Sequence, residues 1–468
     1  MQVPILNGIY TDAQADFRTS YPRNLVPVPK AQGISEGYLR PADGLLLFGS
    51  NPARGVDRGG FNWNGTLYRV LGQTLVSVSS TGIITELGDV GTGGQCTFDP
   101  SFDRLGVSSG GRLYYWNGTT LTQVTDPDLG TVLDFIWVDG YFMTTDGENL
   151  IVTELNDPFA VNPLKYGAAE ADPDPVVGLL KLKNEPYALN RYTIEVFDNI
   201  GGSLFPFQRI EGAQIQKGVM GTYGACVFMD QIAFIGSGRN ESPSIYLGVN
   251  SDALKLATRE IDQILLTYTE AELAEVVVEA RVDKGHQHLY VHLPDQTLVY
   301  DGAASLIVKE PVWFTLDSGV VTPSQYRAKN LIWCYEKWIF GDPTTELLGY
   351  VTNTVMTHFD ATVGWDFGTL ILYNEGRGAI IHELELVALP GRVAFGAEPV
   401  IWTSYSTDGE TWSQEITAAA GRQGQRNQRI AWLGQGLLEN WRVQRFRGNS
   451  DCFVSFARLE ARVEALNF

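Results

Sequence analysis

The chain has 468 residues, of which 44% are apolar and 50 are glycines, so it can build a large core with many turns and more than one domain. No apolar run approaches the roughly 18–20 residues that cross a bilayer as a helix, and we expect no membrane-spanning segment. The net charge of −20, from 54 acidic and 34 basic residues, argues against a protein that grips DNA, because such a surface needs clustered lysine and arginine.

Residues 1–58 are predicted to be an extended, loop-like segment that joins the repeats that follow. Prolines recur through this segment and disfavour regular structure. They are Pro22, Pro27, Pro29, Pro41 and Pro52. The first eight residues contain no basic side chain and no apolar core of signal-peptide length, so we expect no secretory signal.

One short strand pair recurs seven times between residues 59 and 355. The recurring strands begin at Leu67, Leu113, Tyr141, Tyr187, Ile232, Leu289 and Trp338. Their spacing is near ~40–50 residues, apart from one short step, and repetition at that period is typical of a β-propeller. The sequence therefore predicts an all-β fold with a seven-bladed β-propeller.

Local sequence supports the repeat. Segment Leu67–Val78 aligns with Leu113–Val124, and matching positions share Leu, Tyr, Gly, Thr, Leu and Val. Asn64-Gly65, Asp139-Gly140 and Asp301-Gly302 are dipeptides that tolerate the positive φ of two-residue hairpin loops. We interpret each of these dipeptides as a tight turn between neighbouring strands.

A helical insertion is predicted near residues 253–281. Thr269 and Glu272 have the spacing of a capping box, with Thr269 as N-cap. The apolar stripe that follows consists of Leu273, Val276, Val277 and Ala280. An earlier stripe, which predicts a second short helix, consists of Ile261, Ile264, Leu265 and Tyr268. Such an insertion serves either as a docking surface or as a local plug on the propeller.

Residues 356–468 are predicted to form a C-terminal β-sandwich-like module, because short apolar segments alternate with Gly, Asn and Asp turns. Within it, Ser406–Trp412 resembles the Asp-box hairpin of sialidase propellers, in which the aspartate braces a turn and the tryptophan packs beneath it. That role is structural, and one copy does not indicate glycosidase chemistry.

No nucleophile elbow, phosphate-binding loop or dinucleotide fingerprint occurs, so we expect no catalytic and no cofactor-binding residues. A glycosidase needs two carboxylates that face each other across a cleft. The closest pairs in the sequence are Asp172 with Asp174, and Glu383 with Glu385. We interpret both pairs as solvated surface groups.

His286, His288 and His292 share parity on a predicted strand, so their imidazoles would point to one face and are the candidates for a metal site. No cysteine or carboxylate obviously completes such a site, and we expect no metal. The cysteines are scattered singly, which predicts free thiols. They are Cys96, Cys226, Cys334 and Cys452.

The segment Thr267–Ala274, with His292–Pro294 and Leu298–Asp301, resembles the tail-hub proteins of short-tailed phages, also called packaged-DNA stabilisation proteins or tail accessory factors. Further resembling pieces occur in the same order along nearly the whole chain. They are Asp16–Arg18, Gly37–Arg40, Gln216–Val219, Gly221–Tyr223, Pro243–Tyr246, Thr407–Gly409 and Arg429–Trp432.

The resemblance implies a structural protein of the virion tail, assembled in the host bacterial cytoplasm, and no enzyme. It implies a ring of six copies below the portal and its adaptor, which extends the DNA channel and helps to retain packaged DNA. The implied partners are the portal–adaptor, a needle-like plug and tailspikes or tail fibres. An acidic surface suits a conduit, because it repels phosphate and lets a duplex slide without sequence-specific binding.

Two other functions stay open from the residues. One is a carbohydrate-binding or glycosidase-like propeller, which predicts several Asp boxes and a central arginine cluster. The other is a regulatory binding propeller that is self-sufficient as a monomer. The residues themselves do not assign any interface.

Overall fold

The computed structural model describes residues 2–3, 21–30, 37–49, 55–155, 157–169, 173–249, 251–374, 377–390, 392–393, 396–409 and 411–466. Strands dominate this part of the chain, and all pairing between named strands is antiparallel. The resembling piece Asp16–Arg18 and the carboxylate Asp172 lie outside the described residues.

The first 58 residues hold more regular structure than the predicted loop. Their strands are β1 (Gln2–Val3), β2 (Leu25–Pro29), β3 (Gly37–Pro41) and β4 (Gly44–Leu47). Strand β2 contains Pro27 and Pro29 and lies at the edge of its sheet, where it pairs with β3. An edge strand tolerates prolines, because it has no second neighbouring strand that needs their missing backbone N–H groups. Strands β1 to β3 join the C-terminal module, whereas β4 joins the repeats.

Seven sheets follow in chain order. Sheet one consists of β5 (Asp57–Trp63), β6 (Thr66–Leu71), β7 (Thr74–Val78) and β8 (Ile84–Asp89). Sheet two consists of β9 (Thr97–Pro100), β10 (Leu105–Ser109), β11 (Arg112–Trp116) and β12 (Leu121–Gln123). Sheet three, after a 3₁₀ turn at Pro127–Leu129, consists of β13 (Asp134–Val138), β14 (Tyr141–Thr145), β15 (Asn149–Glu154) and β16 (Asp157–Ala168). Sheet four consists of β17 (Val176–Leu182), β18 (Glu185–Asn190), β19 (Ile194–Asn199) and β20 (Phe207–Arg209).

The last three sheets include the helices. Sheet five consists of β21 (Gly218–Val219), β22 (Ala225–Phe228), β23 (Gln231–Ser237), β24 (Ser244–Val249) and β25 (Asp252–Lys255). Helices α1 (Arg259–Leu265) and α2 (Glu270–Ala274) lead to sheet six, with β26 (Val277–Asp283), β27 (His286–His292), β28 (Thr297–Asp301), helix α3 (Gly302–Val308) and β29 (Trp313–Leu316). Sheet seven consists of β30 (Lys329–Cys334), β31 (Lys337–Gly341), β32 (Leu348–Thr352) and the N-terminal β4.

These sheets close a ring. The strands β5, β9, β13, β17, β22, β26 and β30 contact one another in that order, and β30 contacts β5 again. Seven separate apolar clusters fill the spaces between neighbouring sheets. Strand β4 comes from the start of the chain and completes the seventh sheet, so the ends of the ring are fastened together.

One repeat position needs correction. Six of the seven start residues counted in the sequence lie on the second strand of their sheet. The exception is Leu113, which lies on β11, the third strand of sheet two. The equivalent second strand is β10, which begins at Leu105 and so removes the short step. Strand β10 does not match the apolar pattern of the repeat, because it contains Gly106 in place of a larger residue. A side chain at this position would lie only 2.6 Å from the Phe135 ring.

The predicted insertion is shorter than expected. The capping box is confirmed, since the Glu272 backbone N–H donates to the Thr269 hydroxyl and the Glu272 carboxylate accepts from the Thr269 backbone N–H. Helix α1 contains Ile261, Ile264 and Leu265 of the first stripe, whereas Tyr268 lies beyond its end. The second stripe is wrong beyond Ala274, because Val277–Asp283 is the inner strand β26. Branched valines favour the strand, and their apolar run fits either period.

The C-terminal module is a sandwich of two sheets. The first contains β2, β3, β41 (Phe456–Ala465), β35 (Ala379–Ala388) and β38 (Ile430–Leu433), with β1 on β41 and β39 (Leu437–Leu438) on β35. The second contains β33 (Gly364–Gly368), β40 (Trp441–Asn449), β36 (Val400–Ser406) and β37 (Ile416–Ala419), with β34 (Leu372–Tyr373) on β40. The sheets share one core, in which the Phe456 ring lies 5.1 Å from Trp365 and 5.3 Å from Phe367.

All four cysteines are free thiols, as predicted. Burial raises the pKa of Cys96 to about 11 and that of Cys452 to about 12, so both thiols are protonated at neutral pH. A helix long and apolar enough to cross a bilayer does not occur among the described residues.

Candidate functional site

Strand β27 brings two of the three candidate histidines together with an aspartate. The rings of His286 and His288 stack on one face of β27 with centroids 5.2 Å apart, and His288 lies directly opposite Asp301 on β28. One ligand atom of each of these residues lies within 4.8 Å of the others. The expectation that no carboxylate lies nearby is therefore wrong. We call His286, His288 and Asp301 the His–Asp cluster.

Asp301 is held through both carboxylate oxygens. Its Oδ1 accepts from the backbone N–H of Ala304 at 3.1 Å, as the N-cap of α3, and from that of Gln287 at 3.4 Å. Its Oδ2 lies 2.5 Å from Nδ1 of His286 and 3.5 Å from Nε2 of His288. Burial by itself would raise the pKa of Asp301, but the groups that contact the carboxylate, His286 first among them, outweigh burial and lower this pKa below its ordinary value. The carboxylate is therefore ionised.

His288 is the unusual member of the cluster. Its side chain is buried with a relative exposure of 3%, and neither ring nitrogen has a hydrogen-bond partner. The 3.5 Å separation from Asp301 is too long for a good hydrogen bond. The Phe314 ring packs against the imidazole edge at 5.4 Å. Burial lowers the pKa of His288, so its imidazole is neutral.

His292 lies at the other end of β27 and does not join the cluster. Its Nδ1 lies 3.0 Å from the Thr297 hydroxyl, and its Nε2 lies 2.6 Å from Oε1 of Glu279. The second oxygen of Glu279 accepts from the backbone N–H of Leu331 on β30 at 2.7 Å. Both nitrogens of His292 are thus satisfied, and the residue supports the contact between sheets six and seven.

A cleft of about 250 Å³ opens beside His292, between helix α2 and sheet seven. Its charged lining comes from Glu272, Glu275 and Lys329. A glycosidase acid needs a raised pKa, whereas the hydrogen bonds from Thr269 lower the pKa of Glu272. Glu272 therefore lacks the raised pKa that a glycosidase acid needs.

The other carboxylate pair is held by one arginine. Glu383 and Glu385 on β35 both pair with Arg429, at 2.8 Å and 2.5 Å. The arginine is exposed, and its hydrogen bonds lower the pKa of Glu385. The pair is a surface ion cluster, in accordance with the interpretation from the sequence. Asp174 accepts from the backbone N–H groups of Tyr192 and Thr193, and so braces a loop.

The Asp-box hairpin forms a turn that the Asp408 carboxylate braces. The Asp408 carboxylate accepts from the Ser406 hydroxyl at 2.9 Å and from the Thr411 backbone N–H at 2.8 Å, and thus braces the turn. Trp412 is 39% exposed and lies under the Arg445 guanidinium, 5.6 Å from its carbon.

A buried charge cluster joins the propeller to the sandwich. Arg23 binds Asp317, which follows β29, through two hydrogen bonds of 2.5 Å and 2.8 Å, and its other nitrogen lies 3.5 Å from Asp366 on β33. Arg445 on β40 approaches the same Asp366 at 3.1 Å. Burial by itself would lower the pKa of Arg23, but Asp317 and Asp366 outweigh burial and raise this pKa. Sequence analysis missed this cluster, because its members lie in distant parts of the chain.

The hairpin turn that the sequence predicts at Asp301-Gly302 is wrong, and the place of Asp301 in the cluster does not follow from that prediction. The structure places Asp301 at the N-cap of α3 and Gly302 in its first turn. The signal was available in the sequence: an Asp followed by Gly-Ala-Ala-Ser and an apolar pair fits a helix start. To place Asp301 beside His288 one must also know that β28 pairs with β27, and the spacing of residues along the chain does not give that pairing.

Comparison with known proteins covers both units. Residues 1–356 match the family described as bacteriophage P22 Gp10, beta-propeller, and residues 364–464 match bacteriophage P22 Gp10, beta-sandwich. The chain is 27% identical over 461 residues to the tail hub protein gp10 of Salmonella phage P22, with 93% of this chain and 94% of that protein covered.

Solved structures give weaker similarity. The Pan2 WD40 domain of Neurospora crassa has a TM-score of 0.41 at 11% identity and covers 66% of this chain and 94% of its own. Hsv2 of Kluyveromyces lactis has a TM-score of 0.38 at 8% identity, with 70% and 95% covered. At these scores we base no argument on either.

Proposed function

This chain belongs to the bacteriophage P22 Gp10 family, and from that premise we propose that it forms the hub ring of a phage tail. The chain is a structural protein of a phage tail. The observation that carries the finer proposal is that both the propeller and the sandwich match this family, in the same order and over nearly the whole length.

In the proposed assembly, six copies close a ring below the portal–adaptor, in the virion tail. A ring needs heterologous contacts, in which one surface of a protomer meets a different surface of the next. Exposed apolar side chains support such contacts, because a monomer rarely leaves large groups of them in water. Leu164 and Tyr166 on the outer strand β16 are 64% and 57% exposed, and Ile200 on the next sheet is 60% exposed.

The ring extends the DNA channel and helps to retain the packaged genome. The net charge of −20 supports this role, because an acidic wall repels phosphate and does not hold a moving duplex. The ring would also dock a needle-like plug and tailspikes or fibres. Its stiffness comes from the apolar clusters between neighbouring sheets and from the buried charge cluster at the sandwich.

The experiment uses DNA-filled heads that carry portal and adaptor but were assembled without this chain. We expect that adding the purified full chain, together with the plug protein, protects the packaged DNA from nuclease. Heads given the plug alone are the control. Equal loss of DNA with and without the chain would contradict a role in DNA retention, and failure of the chain to sediment with the heads would contradict docking on the adaptor.

A further inference from the structure

We propose that His286, His288 and Asp301 bind a divalent transition-metal ion, for which zinc is the appropriate probe. The proposal goes beyond the tail-hub function and does not depend on it. It also revises the expectation from the sequence that this chain binds no metal. Two imidazoles and one carboxylate form a donor set that zinc accepts, with a fourth position for water.

The separations within the His–Asp cluster are close to those of a metal site. Nitrogen and oxygen ligands lie about 2.0–2.2 Å from zinc, so tetrahedral ligand atoms are roughly 3.3 Å apart. Oδ2 of Asp301 lies 2.5 Å from Nδ1 of His286 and 3.5 Å from Nε2 of His288, and the full set lies within 4.8 Å. Binding of zinc would require Nδ1 of His286 to move about 0.8 Å away from Oδ2 of Asp301.

His288 gives the second, independent observation. Its imidazole is buried and both of its nitrogens lack a hydrogen-bond partner, whereas buried polar groups are almost always paired. A metal ion at Nε2 satisfies this nitrogen. His292 on the same strand provides the contrast, because Thr297 and Glu279 occupy both of its nitrogens.

The surrounding charges permit a cation. Arg281 on β26 lies opposite His288 in the strand register. Its guanidinium binds Asp43 at 2.9 Å and Asp283 at 2.7 Å, so two carboxylates compensate its positive charge. The Asp301 carboxylate is oriented by backbone N–H groups on Oδ1, which leaves Oδ2 to the imidazoles, and such support from outside the ligand set is typical of metal sites.

A bound ion would fasten helix α3 to sheet six. Asp301 is both a proposed ligand and the N-cap of α3, so one residue joins the site to the helix. On this helix the side chains of Leu306 and Ile307 are 69% and 55% exposed to solvent. The metal would therefore fix the position of an apolar surface, and its role is structural.

The test uses the untagged, full-length chain after removal of metal with a chelator. Titration with zinc chloride in a calorimeter is expected to give one site per chain, and the melting temperature is expected to rise with zinc. Cobalt chloride is expected to give the visible absorption bands of a tetrahedral ion. Absence of stoichiometric zinc binding to the wild-type chain would overturn the proposal.

His286→Gln is the principal variant, because His286 is only partly buried and the chain is expected to fold without it. This variant is expected to lose at least tenfold in zinc affinity and to lose the cobalt bands, while its circular dichroism stays unchanged. His382→Gln is the matched control, since it removes an exposed histidine that pairs with Glu464. Zinc affinity that is unchanged in His286→Gln, or lost in His382→Gln, would also overturn the proposal.

Discussion

The Glu279 carboxylate on β26 accepts a hydrogen bond from the backbone N–H of Leu331 on β30, at 2.7 Å, and so joins sheets six and seven. The same arrangement recurs elsewhere in the ring. Asp99 on β9 accepts from the backbone N–H of Trp137 on β13, at 2.6 Å, and Asp134 on β13 accepts from that of Leu179 on β17, at 2.8 Å. In each case a carboxylate of one inner strand satisfies the backbone of the next, in addition to the apolar packing between the sheets.

Glu279→Ala is expected to destabilise the chain by about 1–3 kcal/mol, because it leaves the Leu331 N–H and Nε2 of His292 without their partner. Glu279→Gln keeps one acceptor oxygen and is expected to lose less stability than Glu279→Ala. The measurement is urea unfolding followed by tryptophan fluorescence. Glu275→Ala, at an exposed acid just before β26, is the control. An equal effect of the two alanine variants would refute the link between sheets.

The strand that closes the ring gives a second prediction. Leu45 on β4 is fully buried and pairs with Val351 on β32. Leu45→Ala should cost about 2–5 kcal/mol, since it removes a core side chain from the strand that fastens the ring. Leu47→Ala changes a 43% exposed residue of the same strand and is expected to stay within about 0.5 kcal/mol of wild type. Chemical denaturation compares the two, and similar losses would show that β4 does not close the ring.

The buried charge cluster at the sandwich gives a third prediction. Arg23→Met leaves Asp317 and Asp366 buried with less compensation, which is expected to cost about 3–5 kcal/mol. Loss of this contact should also separate sandwich unfolding from propeller unfolding in calorimetry. Arg422→Met is the control, because Arg422 pairs with Glu398 at the exposed surface. One unshifted calorimetric transition for Arg23→Met would argue against the cluster as a clamp.

His358 makes stability depend on pH. Burial, and secondarily the charge of Arg327, lowers the pKa of His358 to about 3 from an ordinary value of 6.5. The unfolded state therefore binds the extra proton between these values, and stability is fully present above pH 6.5 and falls as the pH decreases. Asp134 acts with the opposite sign, because burial raises its pKa to about 6 and protonation favours the folded state.

The test compares wild type with His358→Gln at pH 7 and pH 5. Between these values wild type should lose about 1–2 kcal/mol more than the variant, since the variant has no proton to bind at this position. Asp134 and His288 are present in both proteins, so their contributions cancel in the difference. Parallel unfolding curves at both pH values would show that His358 is not held neutral by the fold.

The sequence identified features that depend on local spacing. The strand repeat, the capping box at Thr269 and the shared face of His286 and His288 follow from periods of 2 and 3.6 residues. Features that depend on distant pairing were not predictable in the same way. Strand β1 pairs with β41 at the other end of the chain, and His288 meets Asp301 only through the register of two strands.

The boundary between helix α2 and strand β26 is a position that the local sequence pattern does not determine. Val276, Val277 and Val278 form an apolar run that fits one face of a helix and also a strand buried on both faces. The ring decides between them, because β26 must contact β22 and β30 on either side. Tertiary packing therefore overrides the helical period after Ala274.

The mass of the assembled protein shows whether the chain forms a ring on the adaptor. Native mass spectrometry of the purified chain, alone and after mixing with portal–adaptor complex, gives the number of copies bound. We expect six copies on each adaptor ring. A chain that remains a monomer and does not bind the portal–adaptor complex would contradict it.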